Sequence, residues 1–396
     1  MALETSAAAS IGPEEFQTRR ARAREAARAR GLDALLVCSR GGGTVDRYAN
    51  VLYLTNFYTP FPYIPDRAPE WTGRAHTFLV LPAGGDPRLI ADVPYLSEVS
   101  LPTQAIVKAD DVLAALIGEL EAGGLSRGQI GLVGEDVVPW AMMRRIQAAL
   151  PEIRWEQADE ITAELRAVKS PAEIALLREA SFIGSRTIEA MLDAAVVGAS
   201  HGDIVAAGQQ VLNRAGGILY NSFMASGTGG KNPTMFRCNF PTWGSPHRLA
   251  SGQWLRLGIS GIHRGYCFDL SRSKSIGRAS NQQVDAFEAA MSVVQAGVAA
   301  IQPGGTAGEV ADRGLSKQEA LGYPLQGVFS GLGHGIGLGW DSPWFIRGDT
   351  SVLQPGMVLN VERTVQRDGF LGDFEETVLL TENGPELLTD ARTCNW

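Results

Sequence analysis

Residues 252–270, Gly-Gln-Trp-Leu-Arg-Leu-Gly-Ile-Ser-Gly-Ile-His-Arg-Gly-Tyr-Cys-Phe-Asp-Leu, constrain this chain more than any other stretch. Trp254, Leu255, Leu257 and Ile259 supply strand-forming bulk, and Gly261 and Gly265 supply a turn. The stretch therefore reads as a strand, a tight turn and a returning strand. Asp269 then falls inside an apolar strand, between Phe268 and Leu270. A carboxylate there must be paired, hydrogen-bonded or bound to a cation, because an isolated buried charge is too costly. The alternative is an aspartate at a strand end that caps a turn.

With 396 residues, 45% hydrophobic and 20% charged, the chain is long enough for two domains with ordinary cores. A net charge of −8 and a pI near 5.3 argue against nucleic acid, whose phosphates need a basic face. Cys38, Cys238, Cys267 and Cys394 are scattered without paired spacing, so neither a zinc ribbon nor a disulfide framework is expected. That suits a reducing cytoplasm. The first ten residues lack a basic stretch followed by an apolar core, so no signal peptide is expected. No apolar run approaches the ~20 residues of a membrane span.

In chain order, residues 13–31 read as an Arg- and Ala-rich surface helix ended by Gly31, and Ala34–Cys38 as a strand. Tyr48–Phe57, His76–Leu81 and Arg88–Val93 read as further strands, followed by a helix from Asp110 to the Gly123-Gly124 stop. A strand over Ile130–Val133 and a helix over Pro139–Leu150 complete an α/β domain of roughly 150 residues. Inside it, the aromatic and proline-stiffened segment Tyr58–Gly73 suits a lid or a subunit contact, or a loop packed on its own domain. The boundary is marked by Ser170 as N-cap, Pro171 at the first helical position and Glu173 closing a capping box. Domains of 1–168 and 169–396 follow. The second is expected to be α+β, with helices near 202–214, 280–301 and 306–321 packed on an antiparallel sheet. Thr306 and Glu309 form a second capping box, and Met357–Thr364 and Glu375–Thr381 form closing paired strands.

Three further residues join Asp269. His334 stands among glycines in Gly333–Gly337, a loop that leaves its ring reachable, while Glu362 and Glu375 interrupt apolar strands. Same-face residues on antiparallel neighbours lie within about 5 Å, so the two glutamates can converge. Three carboxylates and one imidazole form an oxygen-rich set that suits divalent Mn, Fe, Co or Zn.

These motifs resemble the creatinase/prolidase/aminopeptidase P family, with its "pita-bread" fold. The resemblance runs over nearly the whole chain. It rests on Lys169-Ser170-Pro171, Gly265-Tyr266-Cys267-Phe268-Asp269-Leu270, Gly333-His334-Gly335-Ile336-Gly337-Leu338, Gly356-Met357-Val358, Glu362 and Glu375-Glu376-Thr377-Val378. It implies a creatinase-like N-terminal domain and a C-terminal catalytic domain whose metal ligands are Asp269, His334, Glu362 and Glu375. The pattern breaks in three places. The family's first metal aspartate, eleven residues before the second, is here Gly258; Ser222–Pro241 contains no histidine; and His-Glu-Pro becomes Asp341-Ser342-Pro343.

One divalent ion rather than two is therefore expected, or none if Arg256, which shares a strand face with position 258, enters the pocket and pairs with Asp269 or Glu375. Arg256 on an outer face is the alternative. The catalytic residues are then His334, Asp341, Glu362 and Arg256. Asp341 acts as acid or base between Trp340 and Trp344, or only caps the turn before Pro343. Asn232 and Trp340 are expected to contact substrate. In family dimers the N-terminal domain covers the partner's site, which makes Tyr63 and Arg67 trans contributors. His247 is placed on the loop leading into the Trp254 strand, and His76, His201 and His263 are read as structural. The expectation is a cytoplasmic homodimeric hydrolase cleaving an amide, amidine or carbamoyl-type C–N bond in a small polar metabolite at a mononuclear site. The rivals are a metal-free creatinase-like hydrolase, an Xaa-Pro metallopeptidase, a lyase of the dimethylsulfoniopropionate type and a non-catalytic binding module.

Overall fold

The computed structural model describes residues 10–41, 47–59, 61–62, 64–68, 70–92, 98–239, 246–325 and 330–393. The chain divides into two compact units, residues 10–166 and residues from 167 onward. Among the described residues no helix is long and apolar enough to cross a membrane.

The first unit runs α1 (Pro13–Ala29), β1 (Ala34–Arg40), α2 (Ala49–Thr55), β2 (His76–Pro82), β3 (Arg88–Ala91), β4 (Ile106–Lys108), α3 (Val112–Ala122), β5 (Gln129–Val133), α4 (Trp140–Ala149), β6 (Arg154–Gln157) and α5 (Asp159–Ala167). Its six strands form one mixed sheet in the order β4-β3-β2-β1-β5-β6. The segment Tyr48–Phe57, expected as a strand, is the helix α2. Apolar residues at 51 and 53 imitate strand alternation, but Leu54 and Thr55 are buried as well, and a run this short does not distinguish the two periods. Asn56 ends the helix in the left-handed region, at φ 58°. The surface helix α1 also differs from expectation. Arg19 and Arg20 are buried and donate to the carbonyls of Tyr53 and Leu54, satisfying the C-terminal end of α2.

The second unit runs α6 (Pro171–Ala194), α7 (His201–Arg214), β7 (Gly217–Thr228), β8 (Thr234–Asn239), β9 (Trp254–His263), β10 (Tyr266–Ser275), α8 (Asn281–Val298), α9 (Ala307–Ala320), β11 (Gly333–Ile336), β12 (Trp340–Trp344), β13 (Val358–Arg367), β14 (Phe370–Thr381) and β15 (Gly384–Leu387). The capping boxes of Ser170 with Glu173 and Thr306 with Glu309 are both formed. Two antiparallel sheets result, β10-β9-β7-β8 and β12-β11-β13-β14-β15. Leu255, Leu257, Ile259, Phe268 and Leu270 pack with α6 and α7 in one core. Leu359, Val361, Phe374, Val378 and Leu380 pack with α8 and α9 in the other. Because strand side chains alternate, the opposite faces of β9, β10, β13 and β14 are left for polar residues.

The β9–β10 turn is not at Gly261 but at Arg264 and Gly265, both with positive φ, which matches the twist of a two-residue hairpin. Gly261 lies within β9, where a Cβ would meet the Phe268 ring at 2.2 Å. At Gly372 on β14 a Cβ would lie 2.0 Å from the backbone oxygen of Ala286 on α8. Gly372→Ala is thus expected to lower unfolding stability by about 3 kcal/mol. Gly118→Ala, in the open interior of α3, should raise it by up to about 1 kcal/mol. Urea unfolding of both variants checks this pair, and equal effects would contradict the packing described.

Candidate active site

The polar faces of the two sheets meet along β10 and β14. The Ser273 hydroxyl donates to the Asp373 carbonyl at 2.8 Å and accepts from the Asp373 N–H at 2.6 Å. The Thr377 hydroxyl donates to the Asp269 carbonyl at 3.3 Å. On the other face of β14, Arg272 is fully buried. It donates to Glu376 at 2.8 Å and to the carbonyl oxygens of Glu375 and Ala391, which binds the final segment to the sheet junction.

Cross-strand register then aligns the site. Glu362 stands directly opposite Glu375, Thr364 opposite Asp373 and Asn360 opposite Thr377. On the other sheet Asp269 stands opposite Ser260, and Gly258 opposite Ser271. His334 lies in β11, a strand rather than the expected loop, and is buried. Its glycine neighbours serve close packing: a Cβ on Gly335 would meet the Ser342 carbonyl at 2.4 Å. His334 Nδ1–H donates to the Gly335 carbonyl at 2.8 Å, so in the neutral ring Nε2 carries the lone pair. That Nε2 lies 3.7 Å from Asp269 Oδ2 and 3.8 Å from Glu362 Oε1.

Among the described residues, each of these acids except Glu362 accepts hydrogen bonds from donors of this chain. Asp269 accepts from the Ser260 hydroxyl at 2.9 Å and from Trp340 Nε1–H at 2.6 Å. Glu375 accepts from the Asn360 amide. Asp373 accepts from Thr364 at 2.6 Å and from Arg256 Nε–H at 2.5 Å. Burial raises the Asp269 carboxyl above its ordinary range, against the pull of His334, Trp340 and Ser260. Burial, then the nearby charges of Asp269, Glu362 and Asp373, lifts Glu375 well above its own. Glu362 is pushed up to about 8, first by burial and then by Asp269 and Asp373. The Arg256 guanidinium is held more firmly charged by Asp373, against its burial, with Glu362 and Glu375 adding to the effect.

Several expectations change. Arg256 enters the acidic face but pairs with Asp373, not with Asp269 or Glu375. Asp341 is buried in an ion pair with Lys169 Nζ at 3.4 Å, and a Cβ on Gly337 would strike its Oδ2 at 2.5 Å. Trp340 touches the site through Asp269 and stands edge-on to His334, with ring centroids 6.2 Å apart. Asn232 is exposed in the turn joining β7 and β8. In the first unit Arg67 is exposed beside Glu70 at 3.7 Å, and Tyr63 lies outside the described residues. Sequence reasoning missed Asp373, Asn360 and Ser260. Each lies two residues from a position already singled out, on the same strand face, so the period of two was the available signal.

A mixed-sheet domain followed by two antiparallel sheets that close on an acidic face with one imidazole is the architecture of a pita-bread hydrolase. The model of metallopeptidase family M24 matches residues 175–382, and that of the creatinase/prolidase N-terminal domain matches residues 19–168. The chain belongs to metallopeptidase family M24, and with that family comes its reaction class, hydrolysis of C–N bonds. An Xaa-Pro dipeptidase of Pyrococcus horikoshii is 23% identical over 297 residues, which cover 74% of this chain and 79% of that protein. The uncharacterized peptidase YqhT of Bacillus subtilis is 25% identical over 371 residues, or 91% of this chain and 94% of that one. The crystal structure of dipeptidase PepE from Mycobacterium ulcerans matches with a TM-score of 0.78 at 22% identity, covering 97% of this chain and 98% of that one. The prolidase of Pyrococcus horikoshii OT3 matches at 0.75 and 19%, covering 95% and 99%.

Membership implies a divalent ion. The side chains as placed do not fit one: among the described residues no three His, Cys, Asp or Glu form a group that could hold a metal. In that arrangement Asp269 accepts from the Trp340 indole, Glu375 from Asn360 and Asp373 from Arg256, while Gly258 offers no ligand.

A stability signature follows from Glu362. Unfolding drops its carboxyl from about 8 to its ordinary 4.5, so between those pH values the folded chain holds a proton that the unfolded chain releases. Stability from this group is full below pH 4.5 and is lost as pH rises toward 8. Urea unfolding at pH 5 and pH 8 should show wild-type protein losing stability, and Glu362→Gln losing measurably less. An identical slope in both would contradict the buried acid.

Proposed function

We propose that this chain hydrolyses an amide, amidine or carbamoyl-type C–N bond in a small polar metabolite, with its own side chains moving the protons. The observation that carries this reading is His334 Nε2, fixed by the Nδ1 bond and lying within 3.8 Å of both Asp269 and Glu362. Neutral Nε2 takes a proton from the attacking water, and Asp269 stabilises the imidazolium that forms. Glu362, protonated at neutral pH, donates to the departing nitrogen. The proton on Nε2 then returns to Glu362 across the 3.8 Å gap, which resets the site.

The Lys169–Asp341 pair and Gly258 support a substrate other than the Xaa-Pro dipeptides named for the relatives, because both stand at positions where the peptidase pattern has reactive or metal-binding groups. A second reading has one divalent ion held by Asp269, His334, Glu362 and Glu375 after the donors around them rearrange. The Nε2 lone pair facing two carboxylates favours it. The buried and widely separated cysteines Cys38, Cys238 and Cys267 support a cytoplasmic setting. The exposed aromatics Tyr58, Phe61 and Trp71, in the same segment as the exposed Arg67, support a homodimer.

Ala-Pro, guanidino acids, carbamoyl acids and sulfonio acids, offered to protein whose metal content has been measured, test the assignment. Turnover of a guanidino or carbamoyl acid that survives chelation is expected, with His334→Asn and Glu362→Gln each lowering kcat by about a hundredfold or more. Undiminished turnover in both variants would contradict the mechanism. Activity lost on chelation, with about one ion per chain, selects the second reading.

A further inference from the structure

Resting on the hydrolase reading, we propose that Trp340 is a positioning residue whose indole N–H sets Asp269 against His334, and that the buried Lys169–Asp341 ion pair, next in the same strand, aims that indole. Each oxygen of Asp269 accepts one bond, Oδ1 from the Ser260 hydroxyl at 2.9 Å and Oδ2 from Trp340 Nε1–H at 2.6 Å. Oδ2 is also the atom that lies 3.7 Å from His334 Nε2. Two donors, one on each oxygen, fix the plane of the carboxyl group; Ser260 alone would leave it to turn about its Cβ–Cγ bond. The choice of an indole matters. It is a donor only, whereas a hydroxyl or an amide can turn an acceptor toward its partner. Trp340 therefore holds Oδ2 in the same way whether the imidazole is neutral or charged.

The indole is itself held from several sides. Its ring stands edge-on to His334 at 6.2 Å and to Tyr220 at 5.8 Å between centroids, within the range of favourable aromatic pairs. The next residue of β12, Asp341, points to the opposite face of the strand. There it meets Lys169 Nζ at 3.4 Å, and the same ammonium donates to the Ala167 carbonyl at 3.2 Å. The Lys169 backbone N–H donates to the Gly356 carbonyl at 3.0 Å, so the lysine is anchored as well. A buried ion pair is a weak source of net stability, and what it supplies here is a fixed geometry for β12.

The turn between β11 and β12 completes the support. The Cys267 N–H, two residues before Asp269, donates to the Gly337 carbonyl at 2.8 Å and ties β10 to that turn. A Cβ at 337 would lie 2.5 Å from Asp341 Oδ2 and 3.1 Å from Lys169 Cε, so the ion pair closes only over a glycine.

NMR of the full chain, with nitrogen-15 in its tryptophans and histidines, tests the assignment at one fixed pH. The Trp340 indole signal, identified by its loss in Trp340→Phe, should lie downfield of the other indoles and move upfield in Asp269→Asn. Trp340→Phe should shift the His334 ring signals, and Trp340→His, which restores a ring N–H, should return them part of the way. Gly337→Ala displaces Asp341 while keeping both charges, and should move the Trp340 signal toward its place in Asp269→Asn. With guanidinoacetate, N-carbamoylglycine and Ala-Pro as probes, Trp340→Phe should lower kcat about tenfold while KM stays within about twofold. A merely structural Trp340 would lower the unfolding midpoint yet leave the His334 signals and kcat as they were, which overturns the proposal. An indole signal unmoved by Asp269→Asn overturns it too, without need of any variant at 340 beyond the one that identifies the signal. A signal that ignores Gly337→Ala removes the ion pair from the account. The expected NMR shifts with no probe cleaved support the positioning and count against the hydrolase reading alone.

Discussion

Four carboxylates on two closing strand faces, Asp373 and Glu375 buried and Asp269 and Glu362 half-buried, are the constraint on which this site depends. Burial, with neighbouring acids adding to it, raises the Asp269, Glu362 and Glu375 carboxyls above their ordinary range. Neutralisation by a cation, by donated hydrogen bonds or by retained protons is the only way such a cluster persists. This chain uses all three: the Arg256 guanidinium on Asp373, the hydroxyl, indole and amide donors on Asp269 and Glu375, and a proton kept on Glu362. The fold depends on that balance because the Ser273–Asp373 and Arg272–Glu376 bonds that join the sheets run through the same two strands.

The departures from the peptidase pattern belong together physically. Gly258 offers no carboxylate, and Arg256, one same-face step away, supplies a fixed positive charge to Asp373. Asp341, where the peptidase pattern has a histidine, is buried in an ion pair with Lys169. The acidic face then holds an imidazole with a defined tautomer, an acid that holds its proton near neutrality and a guanidinium bonded to Asp373.

Much of the fold was legible in the sequence because it is written in local, mechanistic signals. Ser170-Pro171-x-Glu173 and Thr306 with Glu309 announce helix starts by satisfying backbone N–H groups, and the strands of the second unit alternate with period two. The segment 48–57 escaped because a seven-residue apolar helix carries less than two turns of periodicity. The acids at 269, 362 and 375 stood out because each interrupts an apolar strand. Asp373 did not, since the preceding Gly-Phe-Leu-Gly reads as a turn, although its spacing from Glu375 places it on the same face. Arg256's partner and the Lys169–Asp341 pair were beyond reach, because both join residues more than a hundred positions apart and depend on how the strands close.

The most direct measurement is the unfolding free energy of ion-stripped protein as manganese, cobalt or zinc is titrated in. A site already balanced by Arg256, the protein's own donors and a bound proton should show stability that stays flat across the titration. Stability that climbs with the logarithm of ion concentration, as preferential binding to the folded state requires, would mean that the acids await a metal and that the account of their neutralisation is wrong.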